Sequence, residues 1–204
     1  LLLAQRVVAE ESTRSGAQPI AKADQPRVAR YAIFAIAAAH GVMVAVMAMT
    51  PVHLMHIMGG SNDAATITVI GFTISLHIAG MYGLSPVFGI LADKMGRVPT
   101  ILLGQAILVA SLLTAALGQA STTAVTIALV LLGLGWSAST VAGSTLLTEA
   151  SAEELRTRRQ GRSDLIMSLV AAAGAVMAGV VLGWVGLGGL ALIALVIGAL
   201  VGVL

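Results

Sequence analysis

The sequence contains no cysteine. That excludes disulfides and thiolate metal sites. Charge is nearly as scarce. Asp, Glu, Lys and Arg make up 10% of the 204 residues, where a soluble domain carries about 25%. So few charges cannot solvate a globule of this size, and the medium is lipid. Aromatic residues are only 3% of the chain, so rings cannot dominate any cavity. What remains is aliphatic: 58% of the residues are hydrophobic and the mean hydropathy is +0.99. A pI near 9.5 does not point to nucleic acid, because the net charge is only +2. No cofactor is expected.

The apolar runs are about 20 residues long, enough at 1.5 Å per residue to cross a core of about 30 Å. Such runs are helices, because a helix satisfies its own backbone groups in lipid. The expected spans are roughly Ala29–Met49, Thr66–Leu91, Pro99–Gly118, Ala124–Thr148 and Asp164–Trp184, with a sixth cut by the end of the sequence. Pro51 marks the end of the first span, and Pro86 interrupts the second. Pro99 suits the first turn of the third. Ser163 is a good N-cap for the fifth, with Asp164 in its favourable first turn. Gly186, Gly188 and Gly189 supply the turn into the sixth. Residues 1–28 are expected to hold the end of a preceding helix at Leu1–Leu3 and then a flexible linker. No signal peptide is visible. The start without Met and the end inside an apolar run suggest an incomplete chain.

The positive charges set the orientation. All 11 Lys and Arg fall in three places. They precede the first span, follow the second as Lys94 and Arg97, or follow the fourth as Arg156, Arg158, Arg159 and Arg162. By the positive-inside rule, residues 1–28, 92–98 and 149–163 are cytoplasmic. The expected fold is thus an all-α membrane bundle, with residues 29–204 as its six-helix domain. Gly135, Ser139 and Gly143 repeat every four residues on the fourth span, and Ala171, Ala175, Gly179 and Gly183 on the fifth. Such faces let helices approach closely in lipid.

No Asp, Glu, Lys or Arg lies deep in a span. The deep ionisable residues are His40 and His77, each roughly 16 Å in from its span's start. Intramembrane ionisable groups are functional candidates, and histidine titrates near neutral pH. Either one can instead be a structural histidine bonded to a neighbouring helix. Met43 and Met47 share a face with His40; Thr73, Met81 and Ser85 share one with His77. Methionine suits a loose apolar cavity, but equally plain packing. Tyr82, Trp136 and Thr140 are further cavity candidates. Tyr31 and Trp184 are better placed as interfacial anchors. His53 and His56 sit in an outer loop with no deep carboxylate nearby, so no metal site is expected.

Between the second and third spans lies a charged knot, Gly89-Ile90-Leu91-Ala92-Asp93-Lys94-Met95-Gly96-Arg97. Asp93 ends a helix, where the dipole disfavours an anion, so it needs a partner. The plain alternative is a surface turn with topogenic charges. The pattern G-x-L-A-D-x-x-G-R resembles the signature loop of the major facilitator superfamily (MFS). The stretch Ser75–Tyr82 ahead of it is similar to bacterial members. The resemblance covers nearly the whole chain and matches the C-terminal half of such a transporter. It implies an MFS-type bundle, half of a twelve-helix secondary transporter in a bacterial inner membrane. It implies alternating access and a small-molecule substrate, drug-like or otherwise, with protons as one coupling partner. An N-terminal six-helix half would be missing. Carried over, Gly89, Asp93, Gly96 and Arg97 form a cytoplasmic gate. Glu149 and Arg156, at family-like spacing, form a charge relay, although a solvated loop explains them too. No Pro precedes Glu149, which weakens a sugar assignment.

Two other classes compete. A rhomboid-type protease needs a Ser–His dyad, but no His follows His77, and no span has paired Asp. An enzyme is therefore not expected. A six-helix membrane protein acting as a homodimer, a channel or an interaction module, stays open on composition.

Overall fold

The computed structural model describes residues 24–60 and 63–202. It is all helical among those residues. The expected helix end at Leu1–Leu3 and the linker up to residue 23 lie outside them. The helices are α1 (Pro26–Ile57), α2 (Ala64–Tyr82), α3 (Ser85–Met95), α4 (Arg97–Leu117), α5 (Thr122–Glu149) and α6 (Glu153–Gly202). Five segments are long and apolar enough to cross a membrane, with α2 and α3 forming one of them. α5 is the hub and packs on α1, α2, α3 and α4, while α6 lies mainly along α1.

Local chemistry explains most boundaries. Asp63 caps α2 by accepting from the Thr66 amide at 2.7 Å, and Ser121 caps α5. Pro86 has no N–H to continue the α2 ladder, so the helix breaks and restarts at Ser85. At Gly96 the backbone takes φ 98°, and this one residue joins α3 to α4. A left-handed φ of this kind favours glycine.

Three expectations need correction. Pro51 does not end the first helix; α1 continues through it to Ile57. A membrane helix tolerates such a proline because neighbouring groups re-satisfy the freed carbonyl. Ser163 is not an N-cap. α6 starts at Glu153, and Ser163 is a buried mid-helix residue. The charged stretch 153–162 is simply the first turns of that helix. The knot is not a loop either: Gly89–Met95 is helical and only Gly96 turns. In the sixth-span region, Gly186 leaves helical geometry at φ 69°, within the expected turn. Beyond it Ala191 and Ala194 enter the core beside Leu108 and Leu112.

Glycine makes the α5 contacts possible. A Cβ at Gly135 would lie 2.8 Å from the Gly104 carbonyl oxygen, and one at Gly133 would lie 2.5 Å from that of His77. So α4 and α2 both touch the α5 backbone. The small-residue stripe on α6 behaves differently. Among the described residues nothing lies within 4 Å of a Cβ at Gly183, and Gly179 is exposed.

Candidate functional site

The middle of the bundle carries a small polar and aromatic group. Trp136 on α5 donates its indole N–H to His40 Nδ1 on α1 at 2.9 Å. An indole nitrogen only donates, so Nδ1 is the bare nitrogen of His40 and Nε2 carries the hydrogen. Tyr82 meets the same indole edge-on, with centroids 6.0 Å apart and planes at 76°, a favoured geometry for ring pairs. Met81 and Met43 are buried in the cluster that includes Trp136, and Met47 packs against it. One turn along α5, the Thr140 hydroxyl is buried with no partner among the described residues.

His77 belongs to a different seam. Its Nδ1 lies 2.7 Å from the Leu129 carbonyl oxygen. A carbonyl only accepts, so here Nδ1 carries the hydrogen. The ring is fully buried, and Nε2 has no partner among the described residues. The two histidines therefore hold opposite tautomers. The structure brings His40, Trp136, Tyr82 and Met81 together and leaves His77 on the α2–α5 contact. Thr73 and Ser85, which share its face, bond to Thr126 at 2.9 Å and Ser137 at 3.1 Å on α5. His53 bonds the Gln119 carbonyl oxygen at 2.6 Å.

At the end of the bundle that carries Arg97 and Arg159 the charges form two clasps. Arg97 donates to Asp93 and reaches Glu149 at 2.9 Å through Nη2 and 3.3 Å through Nε. Glu149 thus meets Arg97, not Arg156. Arg156 instead donates to the Ser151 carbonyl oxygen at 3.4 Å. It lines a cleft of about 800 Å³ with Ser144, Thr148, Gln160 and Asp164. Gly89 lies on α3, near the pair but without a contact that a Cβ would disturb. The second clasp is bidentate: Arg159 holds Asp24 at 2.6 and 2.7 Å. The Ala152 amide adds a bond to Asp24 at 3.2 Å. The hydrogen bond from Arg159 holds the Asp24 carboxyl below its ordinary value.

Several of these residues escaped the sequence. Arg159 was one of four arginines with nothing to distinguish it. Gln105 donates to the Ala35 carbonyl oxygen at 3.4 Å; an amide within an apolar span was the available signal.

The family model described as Major Facilitator Superfamily matches residues 31–204. The chain belongs to this superfamily. It is 39% identical over 141 residues to the "Uncharacterized MFS-type transporter YddS" of Bacillus subtilis (strain 168), a match covering 69% of this chain and 31% of that protein. It is 37% identical over 153 residues to the "Uncharacterized MFS-type transporter YdeG" of the same organism, covering 74% of this chain and 34% of that protein. The chain thus spans about a third of the curated relatives it matches. No solved structure matches it. As an MFS member with apolar spanning helices, it is an integral membrane protein of a transporter family.

Proposed function

We propose that the chain is the C-terminal six-helix half of a twelve-helix secondary transporter in a bacterial inner membrane. On this reading it moves a small, drug-like organic solute by alternating access. Residues 1–28 link it to the N-terminal half, and residues 29–204 form the half-domain. The observation that carries the reading is the His40–Trp136 pair at mid-depth, with a Thr140 hydroxyl one turn away that has no partner among the described residues. Polar groups at that depth are expensive in lipid and mark solute or proton routes. The surrounding side chains are apolar, aromatic and sulfur-bearing, which suits a neutral or weakly polar solute. His40, Met81, Tyr82, Trp136 and Thr140 line the route, and His77 borders it. Asp93, Arg97 and the Gly96 turn gate its cytoplasmic end, with Glu149 as the third charge and Arg156 in the adjoining cleft.

The absence of cysteine from this sequence makes the test clean. Thr140→Cys is placed in the full-length protein, with any cysteines elsewhere in that chain replaced. A membrane-impermeant thiol reagent is expected to modify it, and modification from both sides of the membrane reports alternating access. Phe34→Cys, at an apolar position of α1 that is 59% exposed, is expected to resist. No modification of Thr140→Cys from either side would show that water never reaches this depth, and the route would be lost.

A further inference from the structure

We propose that the His40–Trp136 hydrogen bond is a proton-operated latch, in which proton uptake at His40 Nδ1 releases the Trp136 indole. The proposal rests on the reading of these residues as part of the transport route. Its chemistry follows from the donor inventory. The bond exists only because Nδ1 offers a lone pair to an indole N–H. A proton arriving from water occupies that lone pair. The imidazole becomes an imidazolium with two N–H donors, and the indole keeps its own hydrogen. Two donors then face each other, and the bond breaks. Loss of the proton restores it.

The pair has a second arrangement available. The ring centroids lie 6.0 Å apart, with the planes tilted at 47°. A cation over an indole face within about 6 Å is attracted by the ring. The neutral pair thus meets edge to edge through N–H···N, and the charged pair meets through the ring face. The switch is passed on, because Tyr82 rests on the same indole. Trp136 is therefore a positioning residue: it converts the charge state of His40 into a ring orientation.

The neighbours leave His40 as the responsive group. The titratable residues of α2 are His77 and Tyr82. His77 is fully buried, with its Nδ1–H committed to Leu129, whereas His40 is only half-buried. On α5 the titratable side chain is Glu149, and on α4 it is Arg97; both are paired at the cytoplasmic end. α6 carries Asp164 and its acids and arginines near its start. Beside Gly41 it offers Val170 and Gly174.

The test needs no solute. In the full-length protein in lipid vesicles, every tryptophan except Trp136 is replaced by Phe. Trp136 emission is followed from about pH 8.5 to about pH 5, across the range where histidine changes charge. A single reversible transition is expected, retained in His77→Gln and lost in His40→Gln. His40→Asn serves in the same way should His40→Gln fail to accumulate. Emission that ignores pH, or a transition that survives loss of His40, overturns the latch. If the latch titrates while Thr140→Cys stays unmodified, the route fails and the hydrogen-bond switch stands.

Discussion

Arg97 shows how one side chain sets the behaviour of two others. It is 20% exposed, while Asp93 is 68% and Glu149 41% exposed. Pairs this open are each worth roughly 0.2–1 kcal/mol. Arg97→Ala removes both and is expected to lower stability more than Asp93→Asn, which removes one. Thermal unfolding of the full-length protein in one detergent, with both variants side by side, checks the order. Gly133 offers a sharper case. An added Cβ would lie 2.5 Å from the His77 carbonyl oxygen and 3.1 Å from the Met81 amide. Backbone cannot yield as a side chain can, so Gly133→Ala is expected to cost about 1–3 kcal/mol by overpacking. Gly183→Ala meets no neighbour among the described residues and is expected to keep or raise stability, by up to about 1 kcal/mol, because alanine is the better helix former. The sequence pattern favoured Gly183, which belongs to a small-residue stripe, over Gly133, which does not. Which of them is pressed against a neighbour depends on a partner helix distant in sequence.

Between elements, the Asp24–Arg159 clasp ties the entry of α1 to the start of α6. The native carboxyl titrates below its unfolded value because Arg159 bonds the ionised form. Its contribution is therefore complete above the unfolded carboxylate value of about 3.9, and it fades as pH falls through the lower native value. Protection of the Gln25 amide against hydrogen exchange, taken relative to its intrinsic rate at each pH, is expected to fall at that acid end, since this amide bonds the Ala150 carbonyl oxygen at 2.9 Å. Asp24→Asn should show the lower protection at every pH. The break in α6 is a second element-scale feature. Gly186 sits at φ 69° and ψ −177°, a region essentially reserved for glycine where another residue pays about 1–3 kcal/mol, so Gly186→Ala should destabilise by that amount. This turn was legible, because three glycines interrupt an apolar run. The start of α6 was not. Charges at 153–162 resemble a loop when helices are sought by hydropathy alone, although a helix can extend beyond the lipid and carry them. Pro51 misled for a related reason: proline breaks helices more strictly in water than in a bundle.

At the scale of the whole molecule, the spans were written in apolar length. The candidate site was legible only in part. Depth along a span singled out His40 and His77, because an ionisable group is conspicuous in lipid, while Tyr82, Trp136 and Thr140 were further cavity candidates. Pairing was hidden, since His40 and Trp136 are 96 residues apart and Arg97 and Glu149 are 52 apart. The spans also differ in how far the chain covers them. Half of the most apolar window of α5 is buried, against 6% for the Glu153–Ala194 span. Trp184 on that span is 83% exposed, whereas Trp136 is 9% exposed. Quenchers placed at headgroup depth are expected to extinguish Trp184, as suits an interfacial ring, while lipid-borne quenchers at any depth should spare Trp136. Single-tryptophan versions in brominated lipids would show this. Finally, Asp93 and Arg97 are spaced like partners on one continuous helix, yet Gly96 separates the helices that carry them. Their bond therefore spans a joint rather than running along a rod. Any change in the angle between α3 and α4 must stretch it, and because Arg97 also grips Glu149, the same bend pulls on the end of α5. A single glycine thus leaves three charges linked across the joint between two helices.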